Sequence, residues 1–279
     1  MNEGLNTQEG AVANVGSAMS AGEMLRAKGT YGVKCYEYEG GPLLWEETID
    51  NVVANVGKNL ALDTILAGSS YTTVGPYMGL ISSVSWTNLA TTISSLTSYA
   101  TNLVTLVTAG AHGLGVGDTF VIASATGSGT NFAAVNGTWV AAAGTSGTTL
   151  VFSIGTSGLT ITTLTGGNVT TTSGTRIADT MASHGNWVEA GSTNAPTFTA
   201  RLTPSFSAAA TGSKTTSAAV SFTMTGAGTL QGCFLVYGSG AVATLMNTSG
   251  TLFSAGAFTG GSQAVQNGNV VAVTYTISI

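Results

Sequence analysis

Val270-Val271-Ala272-Val273-Thr274-Tyr275-Thr276-Ile277-Ser278-Ile279 is the stretch whose reading decides the fold class. Val271, Val273, Tyr275, Ile277 and Ile279 alternate with Ala272, Thr274, Thr276 and Ser278. That alternation puts branched and aromatic side chains on one face of a strand and small or hydroxyl-bearing ones on the other. Working back from it, strand-like runs recur at Leu230 to Tyr237, Ala218 to Met224, Thr197 to Leu202 and Tyr77 to Val84. The Leu230 to Tyr237 run is apolar on both faces, with Cys233, Leu235 and Tyr237 on one and Phe234 and Val236 on the other. It is expected to be a central strand, or to turn one face toward another subunit.

The N-terminal third repeats the pattern once and then breaks it. Tyr31, Val33 and Cys35 lead through Tyr36 and Tyr38 into Glu39-Gly40-Gly41-Pro42, and Leu43-Leu44-Trp45 follows directly. This reads as a strand, a tight turn and a returning strand. The second strand is expected to run on through Ile49, Val52, Val53 and Val56. Gly57 to Gly68 reads as the single helix, with good helix formers from Lys58 to Ala67, Gly68 as its cap, and Leu62, Ile65 and Leu66 on one face. Residues 1–29 hold isolated apolar positions, Val12, Val15, Met19, Met24 and Leu25, without a sustained period. They read as an extended arm that orders on a neighbour.

Residues 97–172 have a rhythm of their own. Leu103 to Thr108, Thr119 to Ile122, Val135 to Val140 and Leu150 to Ile154 are short apolar runs separated by turn residues and a Gly-rich loop, the spacing of a small sandwich or barrel. Within them, Ala111-His112-Gly113-Leu114, Gly117-Asp118 and Val135-Asn136-Gly137-Thr138-Trp139 resemble a small Ig-like β module that recurs in tailed-bacteriophage structural proteins. The flanks carry a second resemblance. Trp45 to Asn51, Val56-Gly57-Lys58-Asn59-Leu60 and Met78 to Ser83 precede the module; Ala178 to Glu189 and Leu252 to Phe258 follow it. Together they are similar to a family of short phage virion proteins that runs almost directly from the Ile81-Ser82-Ser83 strand to Asp179-Thr180-Met181.

The resemblance implies an all-β chain: a jelly-roll-like β-sandwich with one short helix, plus an inserted small Ig-like β-barrel module. In these terms 1–29 is the arm, 30–96 with 173–279 the main sandwich, and 97–172 the insert.

Charge is distributed unevenly. Charged residues make up 7% of the chain, against roughly a quarter in ordinary domains. Between Asp63 and Arg176 the only charged side chain is Asp118, and beyond Lys214 there is none. Such a surface must be hidden in contacts or coated with neutral Thr, Ser, Asn and Gly. The net charge of -5 and the absence of a Lys/Arg cluster argue against nucleic-acid binding. Gly, Ser and Thr interrupt every apolar run, so no membrane span is expected. Glu3, Glu9 and Glu23 precede the first basic residue, Arg26, which is not the order of a secretory signal. The chain is therefore expected to be made in the cytoplasm. Cys35 and Cys233 fall in strand-like runs, where buried thiols are common, and a disulfide between them is left open.

Few residues invite a catalytic reading. Asp179, Ser183 and His184 are the types of a hydrolytic triad, but adjacent Ser183 and His184 project in different directions. His112 and Asp118 supply two metal ligands without a third, and a turn built on Gly113, Gly115 and Gly117 explains them better. Glu46 and Glu47, adjacent on a strand, face opposite sides, unlike the facing pair of a glycosidase. No enzyme, cofactor or metal is expected.

The leading expectation is a structural protein of a tailed-phage virion, most simply a capsid decoration or cement protein. It would bind the major capsid protein as a homotrimer, through the arm (Val12, Val15, Met19, Met24, Leu25) and through Phe234, Val236 and Tyr237. The alternative is a tail-fibre or baseplate component that stacks its Trp and Tyr rings on a host glycan.

Overall fold

The computed structural model describes residues 27–66, 74–171 and 174–278. The arm residues Val12, Val15, Met19, Met24 and Leu25, and the expected helix cap at Gly68, lie outside them. The chain opens with a hairpin, β1 (Lys28–Tyr36) and β2 (Leu43–Val53), then α1 (Asn55–Leu66) and β3 (Tyr77–Ser82). β4 (Ala90–Ala100), β5 (Leu103–Thr108), β6 (Thr119–Ser128), β7 (Gly137–Val140), β8 (Thr149–Ser153) and β9 (Thr163–Thr170) follow. The C-terminal part holds β10 (Val188–Glu189), β11 (Ser213–Thr215), β12 (Val220–Thr223), β13 (Gly228–Tyr237), β14 (Thr251–Ala257), β15 (Gln263–Val265) and β16 (Val270–Ser278).

The flanks make one ten-stranded antiparallel sheet in the order β10-β3-β13-β14-β2-β1-β16-β11, with β12 paired to β16 and β15 to β13. β2 belongs to both halves of it: its early residues pair with β1, and Val52 and Val53 pair with β14. The sheet folds over at this strand, so the inward residues of β1 and β16 (Tyr31, Val33, Val271, Val273, Tyr275) pack against those of β3 and β13 (Met78, Leu80, Cys233, Leu235) in one core. The result is the two-layer packing of a β-sandwich. The alternation read at Val271, Val273 and Tyr275 is the core face of β16.

β13 is the central strand, between β3 and β14, and both its faces are covered. Phe234 and Val236, expected at a subunit contact, are fully buried against Trp187, Leu252 and Ala255 of the same chain. The expectation is corrected: the second apolar face of this strand meets the chain's own returning segment. Tyr237, at the end of β13, is half-buried.

Other boundaries differ for local reasons. β2 stops at Val53, and α1 starts two residues earlier than expected because the Asn55 N–H is taken by the Ile177 carbonyl (2.9 Å) and Lys58 N–H closes the first turn on Ala54 (2.9 Å). α1 turns Leu60 inward and leaves Leu62 exposed. Gly57 sits against the Phe253 backbone, where a Cβ would collide, so glycine sets how closely helix and β14 approach. Thr197 to Leu202 is not a strand; it makes one bridge, Met78 to Leu202, while Arg201 turns inward. Pro196 and Pro204 flank it and remove ladder donors. Cys35 and Cys233 are both free thiols in the sandwich core.

β4 to β9 form a six-stranded antiparallel sheet in the order β7-β6-β9-β4-β5-β8. A bridge from Ala141 to Phe152 joins its two ends and almost closes it into a barrel around Phe120, Phe152, Ile122, Val104, Leu106 and Val169. The sheet begins at Ala90, inside the span that the sequence reading gave to the main sandwich. β4 and β9 carry no apolar alternation that would announce them: on β4 only Ile93 is buried, among Thr and Ser. The expected Gly-rich loop is partly strand, since β6 runs on to Ser128 with irregularities after Ala123. The fold read from the sequence, an all-β sandwich with one short helix and an inserted small β module, is the fold observed.

Candidate functional site

Two chain segments connect the barrel to the sandwich, and they pair with each other: Leu89 N–H donates to Thr171 Oγ1 (3.0 Å) and Thr171 N–H to the Leu89 carbonyl (3.2 Å). Above this stem lies a cluster of polar groups. The turn from His112 to Asp118, bent by Gly113 (φ +63°) and Gly117 (φ +99°), places Asp118 so that its Oδ2 accepts Gly115 N–H (2.8 Å) and its Oδ1 accepts Ile177 N–H (2.7 Å). Two residues beyond Ile177, Asp179 Oδ2 accepts Arg176 N–H (2.9 Å) and the Trp187 indole N–H (3.0 Å). Arg176 Nη1 donates to Thr171 Oγ1 (3.2 Å).

Burial pushes both carboxyls above the ordinary aspartate range, against the pull of these N–H donors and of Arg176; burial likewise lowers Arg176. A line of contacts thus runs from the barrel turn through Ile177 and Asp179 to Trp187, whose ring lies 5.3 Å from that of Phe234 in the central strand. It is a seat for the inserted barrel.

The residues singled out for chemistry are used up in this structure. His112 is buried; its Nδ1 accepts Leu114 N–H (3.0 Å) and its Nε2 donates to the Thr149 carbonyl (2.9 Å), so neither nitrogen is left for a metal. His184 stacks on Trp187 (3.8 Å, 16°) and donates from Nδ1 to the Trp187 carbonyl (3.0 Å). Ser183 closes a turn with Thr180 through backbone bonds. Asp179 and His184 therefore meet through Trp187, and the three are not aligned as a triad. Among the described residues no group of three His, Cys, Asp or Glu side chains is placed to hold a metal, and no helix is long and apolar enough to cross a membrane. Three of the four Trp indoles donate inside the chain, Trp45 to Ala264, Trp139 to Val135 and Trp187 to Asp179, which is the behaviour of packing anchors.

Sequence reasoning missed two features. Glu189 on β10 and Arg201 form a buried bidentate pair (2.7 and 2.7 Å). Glu189 also accepts Met246 N–H, and Arg201 donates to the Val242 and Asn247 carbonyls, so the pair pins the 242–247 loop. The signal was faint but present, because an acid and a base isolated in a neutral chain have few partners other than each other.

The second is an apolar groove of about 220 Å³ at the open end of the sandwich. Phe206, Leu235, Tyr237, Phe253 and Ile277 line it, and Lys214 sits at its edge with its ammonium 6.0 Å from the Phe206 ring.

Lys214 stands out for a further reason. Of the charged residues beyond Asp63, Asp118, Arg176, Asp179, Glu189 and Arg201 are all buried, and Lys214 alone is exposed. The outward positions beyond it are mainly Thr, Ser, Gly, Ala, Asn and Gln, while Phe222, Leu230, Phe234, Leu252 and Val271 are inside. The neutral stretch is thus a hydroxyl-coated surface over a private core.

Comparison with protein-family models, with curated proteins and with solved structures returns no match.

Proposed function

We propose that this chain is a structural component of a tailed-phage virion, and most specifically a decoration or cement protein that binds the outer head surface. What carries the reading is the surface beyond Asp63, which keeps a single exposed charge, Lys214, while every other charge in that part of the chain is spent on internal bonds. A freely diffusing domain normally relies on mixed surface charge to stay apart from its neighbours. A hydroxyl-rich, nearly neutral surface suits a part held permanently among other subunits. The sequence resemblance of the flanks and of the insert to phage virion proteins supports the same class.

In this reading the major capsid protein is the partner, the sandwich lies on the shell as a homotrimer, and the barrel projects from it. Binding to the assembled shell alone would stabilise it by mass action, about 2.7 kcal/mol per site at a hundredfold excess over the dissociation constant.

The test is electron microscopy of particles carrying this chain with a gold-binding tag, together with the heat tolerance of particles that lack it. Label over the head and earlier heat rupture of the depleted particles are expected. Label confined to the tail tip would transfer the chain to the tail-fibre or baseplate alternative, and unlabelled particles would remove the virion reading.

A further inference from the structure

β12 is bonded to a neighbouring strand on one side only. It pairs with β16 from Val220 opposite Val273 to Thr223 opposite Val270, and in the same register Met224 N–H donates to the Asn269 carbonyl (2.8 Å). Further along that side of β16 the Tyr275 carbonyl accepts Thr216 N–H (2.9 Å), so the odd-numbered residues of β16 turn their backbone groups toward β12. Bonding residues alternate along an antiparallel ladder. Val220, Phe222 and Met224 therefore spend their N–H and C=O groups on β16, and those of Ser221 and Thr223 point away from it. Thr225 points away as well, and its N–H donates to the Thr197 carbonyl (2.8 Å).

Beyond that bond the two segments part, and a cleft of about 340 Å³ lies between Phe198 to Ala200 on one wall and β12 on the other. The first wall is strand-like without a ladder: Phe198 is buried and Thr199 exposed, and the two-residue repeat turns the Thr199 backbone the same way as the Thr197 carbonyl. Among the described residues, the N–H and C=O of Thr199 and the outward ones of Ser221 and Thr223 have no hydrogen-bond partner. No charged side chain lines the cleft, since Arg201 turns inward onto Glu189.

We propose that this cleft binds an extended, uncharged peptide strand from another protein, which adds to the outer edge of β12 and bonds across to Thr199. The backbone groups on its walls repeat every second residue, a pattern that another extended chain matches in register. From Ser221 to Thr225 the edge runs about 13 Å, the length of four or five extended residues. A charged side chain entering the cleft would lose water and meet no opposite charge, so the segment is of the Thr, Ser, Val or Gly kind. All sixteen strands of the described residues are already tied into sheets, and a strand held in a sheet does not fit between two walls; the occupant is a free segment. The inference concerns the isolated chain and does not depend on the virion reading.

Amide hydrogen exchange of the full chain, read residue by residue by NMR, tests it with a capped Thr-Val-Thr-Val-Thr peptide at millimolar concentration. Exchange at Ser221 and Thr223 is expected to slow several-fold, while Phe222, already bonded to β16, stays unchanged. The same peptide with every amide nitrogen methylated should give no slowing. Thr223→Pro removes an N–H that β16 does not use, so it should leave the thermal midpoint nearly unchanged and weaken peptide binding several-fold. The comparison of the two peptides on the natural chain holds however that variant folds. No slowing at Ser221 and Thr223, or equal slowing by the methylated peptide, would overturn the proposal. So would equal slowing by a neutral dextran oligosaccharide, which would give the cleft to a glycan.

Discussion

Asp118 Oδ1 accepts the backbone N–H of Ile177 at 2.7 Å, while its other oxygen accepts Gly115 N–H at 2.8 Å, so one carboxylate ties the barrel turn to the segment that returns to the sandwich. Asp118→Asn keeps the shape but turns one acceptor into a donor facing an N–H. Hydrogen bonds to charged groups contribute about 1.5–3 kcal/mol. A loss of that size is expected in urea unfolding, and an unchanged midpoint would show that the seat does not depend on this carboxylate.

The pH dependence of that seat has a definite sign. Burial raises Asp118 and Asp179 in the folded chain above their unfolded values of about 3.9, so the native state binds protons more tightly within that interval. Their contribution is fully present below the unfolded value and is lost as pH rises through the raised folded values. Compared with the Asp118→Asn, Asp179→Asn double variant, the natural chain should therefore gain relative stability on acidification toward about pH 4. Denaturant midpoints measured across that range would show it, and a constant difference between the two proteins would contradict it.

Removing one partner of the buried Glu189 and Arg201 pair strands the other. Arg201→Met is expected to cost about 3–5 kcal/mol, and the double change Glu189→Leu, Arg201→Met less than the sum of the single changes. A double-mutant cycle by chemical denaturation measures the coupling. Additive losses would mean that the two residues act separately, through the 242–247 loop for example.

Phe234 and Tyr237 separate interior from surface within one strand. Phe234→Ala should destabilise the isolated chain by about 3–5 kcal/mol, as for other buried aromatics. Tyr237→Ala should cost much less and raise dye binding at the groove. Thermal unfolding of the two variants decides this; equal losses would place Tyr237 in the core as well.

Burial pushes the Cys35 thiol up to about 11 and raises Cys233 further still, so neither is a ready thiolate at neutral pH. A thiol reagent should label the native chain slowly and the denatured chain at both sites. Fast labelling of a single native thiol would reveal local opening of the strand that carries it.

Several elements were legible because their signal is local. The Glu39-Gly40-Gly41-Pro42 turn, the alternation of β16 and the apolar run of β13 each state their structure within ten residues or so, the range over which backbone geometry sets side-chain direction. β4 and β9 were not legible: strands of Thr, Ser and Gly that bury one or two side chains carry almost no period, and neighbours in the barrel order them. Thr197 to Leu202 misled in the opposite direction, since its alternation is real but Pro196, Pro204 and the inward turn of Arg201 keep it out of a ladder.

By itself, then, the sequence determined an all-β chain with one helix, an interrupting module and a surface almost without charge beyond Asp63. Only the tertiary structure decided that Phe234 and Val236 face the chain's own Trp187 segment, that Asp118, Asp179 and Glu189 are buried partners and not surface acids, and that Lys214 alone marks the edge of a groove. The physical reason is that a period tells which residues share a face, whereas what covers that face depends on contacts between residues far apart in the chain, such as Arg201 with Glu189 or Tyr31 with Ser254.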